Sequence, residues 1–130
     1  MGLAACLGEF CIGGGAYIGL ELLWRGWSHI SMFPAGGLCL LLVGQLSEVR
    51  PRLPLPIRIL TGAGIITMVE LAFGLLVNRE YGVWDYRSCR GNFLGQICPG
   101  YCLLWIPVSA GALLLHRWIR SFFRSRVLQR

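Results

Sequence analysis

Glu70 sits well inside the apolar run 58–77. In hydrocarbon an acid is costly unless it is paired, protonated or turned towards a water-filled cavity. It therefore reads either as a group on an ion or proton pathway or as a hydrogen-bonded contact between helices. Asn78 follows two turns later on a nearby face. The run 3–24 holds two more acids, Glu9 and Glu21. Twelve positions at 100° each turn them about 120° apart, so they do not form one paired site.

Glu21, Arg25 and His29 recur at four-residue spacing. If the helix continues past Trp24, they line one side of its end. An i,i+4 Glu–Arg pair is an ordinary way to hold charge near an interface; the functional reading is a polar vestibule with a titratable His. Cys98, Cys102, Trp105, Ser109 and His116 also share a helical face. Cys98 and His116 stand about 27 Å apart along such a helix, too far to share one ion. That stripe reads as a packing face, and neither a metal nor another cofactor is expected.

The six cysteines lie mainly inside apolar runs, with no disulfide ladder and no CxxC pair, and read as small buried hydrophobes. Leu3-Ala4-Ala5-Cys6 has the letters of a lipoprotein box. With no charged or apolar leader before the cysteine, the match reads as accidental, and the chain is expected to enter its first span almost directly. Ser, His and Cys are present without a nucleophile–base motif, so no enzyme is expected.

The remaining chemistry is gathered in Tyr81–Trp105. Tyr81, Trp84 and Tyr86 surround Asp85; Arg87 and Arg90 follow, then a turn at Gly91-Asn92. Trp and Tyr favour the bilayer–water boundary, where one end of the ring is dry and the other wet. Trp84, Asp85, Tyr86, Arg87 and Asn92 are read as an interfacial cap from which the chain re-enters the membrane.

Composition sets the medium for all of this. The 130 residues are 55% hydrophobic and 14% charged, against about 25% charged in a soluble domain. The mean hydropathy is +0.63. So apolar a chain has too little polar surface to cover itself, and lipid is its expected solvent. The twelve basic residues are all arginine and give a net charge of +6. They stand at the ends of apolar segments, as topology signals do, which argues against nucleic acid as the partner.

The expected architecture is all-α, a single membrane domain over 1–130: a bundle of four transmembrane helices near 3–24, 30–46, 58–77 and 97–115, with a loop at 78–96. Gly15-x-x-x-Gly19 in the first span would let another backbone approach closely. Pro34 falls in the first turn of the second span, which is short; a full crossing is preferred over a re-entrant segment. Pro51, Pro54 and Pro56 stiffen the connection to the third. Pro107 should bend the fourth, with Ser109 helping to satisfy the freed carbonyl. The tail 117–130 alternates five arginines with Trp118, Phe122 and Phe123 and reads as a basic amphipathic helix on an anionic surface.

Four spans put both termini on one side, with eight arginines against four on the other. The positive-inside rule makes that side the cytoplasm of a multi-pass protein. The two hairpins also echo each other, Glu21-Leu22 with Glu70-Leu71 and Gly36-Gly37-Leu38-Cys39 with Gly95-Gln96-Ile97-Cys98. Such a repeat would be parallel and would place Glu21 and Glu70 at equivalent heights.

Several of these residues carry a family resemblance. Glu70-Leu71, Gly74, Asn78, Trp84-Asp85-Tyr86, Asn92-Phe93-x-Gly95-x-Ile97-Cys98 and Trp105 resemble the putative ABC-transporter type IV, or CmpB-like, membrane proteins. Glu21 to Gly26, Ser28-His29 and Gly36 to Cys39 fit as well, so the resemblance covers about Gly15 to Trp105. It implies a small permease-like protein of the bacterial inner membrane. No GxxxxGK[ST] loop is present, so any ATPase would be a separate chain. Four short helices enclose little, and an ion or small-solute pathway would need a homo-oligomer or a larger membrane complex. On that reading Glu70, Glu21, Arg25, His29 and Asn78 are the pathway or polar-core candidates. The alternative is a non-transporting accessory or scaffold subunit.

Overall fold

Gly26 ends the first helix. Its φ of +76° is a left-handed value that glycine adopts without strain, and its N–H caps Leu22 at 3.0 Å. The computed structural model describes residues 2–49 and 53–128. It places α1 at Leu3–Arg25, α2 at Met32–Gln45, α3 at Leu55–Val77, a single turn α4 at Pro99–Cys102, and α5 at Trp105–Leu128. No strand occurs among the described residues beyond an isolated bridge between Phe93 and Ile97. The protein is thus all-α. Three stretches, Leu3–Arg25, Leu55–Val77 and Pro99–Arg126, are long and apolar enough to cross a membrane.

The second segment is shorter than the preferred full span. α2 has 14 residues, about 21 Å of helix against a hydrocarbon core of about 30 Å. It packs against α1, α3 and α5 and is apolar from Met32 to Gly44. Met32, Ala35, Leu40 and Val43 are buried, and Cys39 packs with Ile66, Val69 and Leu113 in the same core.

Glycine brings α2 against α1. A Cβ on Gly14 would stand 2.6 Å from the Phe33 carbonyl, and one on Gly37 would stand 2.6 Å from that of Phe10. Gly13 and Gly36 meet each other's carbonyls at 2.8 and 2.6 Å in the same sense. The pairs Gly13-Gly14 and Gly36-Gly37 therefore form the crossing. Gly15 and Gly19, the spacing expected to make a helix contact, have nothing within 4 Å of a Cβ among the described residues.

Proline reshapes the last segment. Pro99 opens α4, but the helix breaks at Leu103-Leu104 and restarts at Trp105. Pro107 has no N–H for the Leu103 carbonyl and its ring crowds it, so that carbonyl takes the Ile106 N–H at 3.3 Å instead. Pro107 thus stands in the first turn of α5 and the break precedes it, in place of a bend within one span. Ser109 does not rescue a carbonyl; it is fully buried against Gly62, its hydroxyl without a partner among the described residues. Beyond His116 nothing interrupts the helix, so the first part of the arginine-rich tail continues α5. Arg50, Arg52 and Arg130, which enter the arginine tally, lie outside the described residues.

The exterior is greasy. Leu23, Ile30 and Leu3 are 88%, 83% and 75% exposed, and Trp24, Leu76 and Leu103 stand out beside them. Together with the three long apolar helices, this is the surface of a membrane protein.

Candidate functional site

Residues 78–98 join α3 to α4 without a helix, and Asn78 holds them in place. Its Oδ1 accepts the N–H groups of Val83 and Trp84 at 2.8 and 3.1 Å. Its Nδ2 donates to the Trp84 carbonyl at 2.7 Å and to Gln96 Oε1 at 2.9 Å. Gln96 returns a bond to the Asn78 carbonyl at 3.1 Å, and the Trp84 indole donates to the Gln96 carbonyl at 2.8 Å. Asn78 is 1% exposed and every polar side-chain atom is used, so its place is in the scaffold of the loop. Asn92 does the same at the far turn, donating to the Cys89 and Arg87 carbonyls and accepting the Gly95 N–H at 2.9 Å.

The loop so folded covers one end of the helices and closes a cavity of about 470 Å³. Tyr17, Leu20, Glu21, Trp24 and Arg25 of α1 form one wall. Tyr101, Leu104, Trp105, Pro107 and Val108 form the opposite one, and Trp84, Asp85 and Tyr86 the lid. Glu70 of α3 is the innermost acid, 7% exposed. Its Oε2 accepts the Trp105 indole N–H at 2.8 Å. Tyr86 stacks on Tyr101 with ring centroids 5.0 Å apart, and Tyr17 lies against Trp105 at 6.2 Å.

The charges around this space are unevenly matched. Glu21 forms an ion pair with Arg25, whose guanidinium also donates to the Val83 carbonyl and covers the Trp27 ring at 4.1 Å. Asp85 receives a two-pronged grip from Arg87 at 2.9 and 2.8 Å and the Arg87 backbone N–H at 2.9 Å. Those hydrogen bonds bring the Asp85 carboxyl down to about 2, and the same contact raises Arg87 above the usual arginine range. Glu70 has no cationic partner among the described residues.

Six of the expected residues therefore meet at one site: Glu70, Glu21 and Arg25 and, at the lid, Trp84, Asp85 and Tyr86. His29 does not join them. The helix that would have aligned it with Glu21 and Arg25 stops at Gly26, and His29 is exposed with its Nδ1 2.7 Å from Ser31 Oγ.

A second polar cluster escaped the sequence reading. Glu9 and His116 hydrogen-bond within the packing of α1 against α5, both buried. His116 Nε2 reaches Glu48 Oε1 at 3.1 Å, and Arg120 meets the same oxygen at 2.6 Å. Glu9 lies about 18 Å of helix from Glu21, so this cluster is distinct from the cavity. The available signal was one unexplained acid in the first span and one histidine in the last.

The family model described as "Putative ABC-transporter type IV" matches residues 21–129, most of the chain, and the chain belongs to that family. No curated protein and no solved structure matches it.

Proposed function

We propose that this member of the putative ABC-transporter type IV family is a permease-like component whose ion or solute site is the cavity beside Glu70. The observation that carries the reading is that Glu21 and Glu70, from two different helices, line one cavity in which only Glu70 lacks a countercharge. A shared cavity also supports the two hairpins as a parallel repeat, with their acids at one level. With the short α2 taken as the fourth crossing, accommodated by local thinning of the bilayer, the lid sits at the outer interface of the bacterial inner membrane and the termini in the cytoplasm, following the arginine balance. The cavity is open on one side rather than enclosed, so a through-pathway takes a second copy or a larger membrane complex, with any ATPase a separate chain. The proposal involves no enzymatic step.

Purified protein in liposomes tests it. Ion or proton flux that Glu70→Gln abolishes, with the melting transition retained, supports the reading; absence of flux for every ion tried overturns it. The Trp105–Glu70 hydrogen bond favours a second reading, because it already gives the acid a structural partner. In that reading the chain is an accessory or scaffold subunit with the lid as its docking surface. Native mass spectrometry that finds a stable larger complex, together with no flux, selects it.

A further inference from the structure

We propose that the cavity beside Glu70 binds a monovalent organic cation, a quaternary or protonated amine (or its phosphonium equivalent) on an apolar body. The proposal rests on reading the cavity as the protein's ligand site and adds the class of ligand. Three features lead to it.

The first is charge. Glu21 is neutralised by Arg25 and Asp85 by Arg87, which leaves Glu70 as the unmatched negative group among the described residues that line the space. An anion meets only Arg25 on the described lining, and that guanidinium is already engaged by Glu21, the Val83 carbonyl and the Trp27 ring. A neutral solute would leave the Glu70 carboxylate desolvated with only the uncharged Trp105 indole as a partner and no countercharge. A bare metal ion asks for several oxygen ligands, and no cluster of three or more His, Cys, Asp or Glu side chains able to hold one occurs among the described residues.

The second is the wall. Tyr17, Trp24, Trp84, Tyr86, Tyr101 and Trp105 bring six aromatic rings to the space that Glu70 faces. The face of such a ring attracts a diffuse cation, and an aromatic cage with one acid is the usual way to hold a charge that cannot donate several hydrogen bonds. The third is shape and access. A volume of about 470 Å³ falls among the sizes that enclose a drug-sized molecule. The rim is formed by Leu20, Leu104 and Pro107, all exposed and all apolar, so the mouth between α1 and α5 suits a ligand with a greasy body.

The test compares two probes of the same shape and opposite charge, tetraphenylphosphonium and tetraphenylborate, titrated calorimetrically into the detergent-solubilised full chain. The expected result is saturable binding of the cation with at least about tenfold preference over the anion, a preference that follows the cavity's net charge. Glu70→Gln and Glu21→Gln, each of which removes one negative charge, should both erase it; Arg25→Gln, which removes a positive one, should enlarge it. Three variants on two helices keep the test decisive if one of them fails to fold. Equal binding of the two probes overturns the proposal, as does a preference that none of the three substitutions moves. Flux is read separately in liposomes: cation binding without flux leaves this inference standing and removes the permease reading. Flux of another ion without cation preference does the reverse.

Discussion

Glu9 of α1 and His116 of α5 hydrogen-bond across the bundle with side chains 0% and 1% exposed. His116 passes the connection to Glu48, and Glu48 to Arg120, so a fully buried acid is tied to a charged group at the surface. Burial pushes the Glu48 carboxyl up, but the hydrogen bond from His116 and the charge of Arg120 outweigh it and hold the group below the ordinary glutamate range. The second oxygen of Glu9 has no partner among the described residues. The cluster locks α1, the end of α2 and α5 together at the end of the bundle away from the cavity.

Breaking that pair on one side should therefore destabilise the fold more than removing it altogether. His116→Leu leaves a buried carboxylate uncompensated, at a cost of about 3 kcal/mol. Glu9→Gln keeps an acceptor for the imidazole and should cost about half as much. The double variant Glu9→Leu with His116→Leu should recover part of the single-variant loss, since apolar side chains can fill the space both groups leave. Thermal unfolding in detergent checks this; a His116→Leu variant melting with the parent would show that the pair contributes nothing.

The crossing of α1 and α2 predicts opposite outcomes for neighbouring glycines. Gly14→Ala drives a methyl to 2.6 Å from the Phe33 carbonyl, a backbone atom that cannot swing aside, and should destabilise by about 1–3 kcal/mol. Gly15→Ala meets nothing within 4 Å and gains helix propensity, so it should be neutral or stabilising by up to about 1 kcal/mol. Melting midpoints of the two variants, measured side by side, check the pair. A Gly15→Ala loss as large as that of Gly14→Ala would mean that Gly15 packs against a second copy.

What the sequence made legible was what depends on local composition. Long apolar runs and the isolated acid at Glu70 are properties of a short window, and the three long apolar helices and the acid of the cavity followed from them. The left-handed stop at Gly26 is just as local, but a glycine after Arg25 does not by itself end a helix, and His29 was aligned with Glu21 past it. The rest depends on where distant segments meet. Gly13-Gly14 and Gly15-x-x-x-Gly19 are equally good close-approach signals until Gly36-Gly37 selects one of them. Pro107 looks like a bend in a long span only if Leu103-Leu104 is assumed helical. Glu9 was measured against Glu21 on its own helix, while its partner lay at the far end of the chain.

Asn78 should behave as the keystone of the loop. Asn78→Ala removes four hydrogen bonds and leaves the N–H groups of Val83 and Trp84 and the Gln96 side chain short of partners. At about 1–3 kcal/mol for each buried group left unsatisfied, the loop should open well before the helices unfold. Limited trypsin digestion should then cut at Arg87 or Arg90 much faster than in the parent, with helical circular dichroism unchanged. Equal cleavage rates would show that the aromatic packing holds the lid by itself.

Asp85 gives the lid an acid-sensitive latch. Its folded value of about 2 lies below the ordinary aspartate value of about 3.9, so the grip of Arg87 contributes above the unfolded value and is lost as pH falls through the folded one. The weakening should thus fall between about pH 4 and pH 2. Asp85→Asn should remove that part of the acid dependence and, by the same linkage, make the loop at neutral pH about as open as the parent's is near pH 2, with global melting little moved because the pair is exposed. Protease sensitivity of the loop against pH, in parent and variant, is the measurement. Parallel curves over this window would exclude the latch.

Trp105 and Glu70 should prove to be one energetic unit. Trp105→Phe keeps a ring to lie against Tyr17 and deletes only the indole donor; Glu70→Gln keeps the acceptor and deletes the charge. If the hydrogen bond is what seats the acid at the cavity wall, each variant should lose stability and the double variant should lose less than their sum. Hydrogen bonds between membrane helices couple by about 0.6–1.7 kcal/mol, and a charged acceptor places this one towards the upper end. A double-mutant cycle on unfolding midpoints isolates that coupling from the packing each variant also disturbs. A coupling near zero would mean that Glu70 is held by its surroundings at large, and the cavity would then keep its acid whether or not Trp105 can donate.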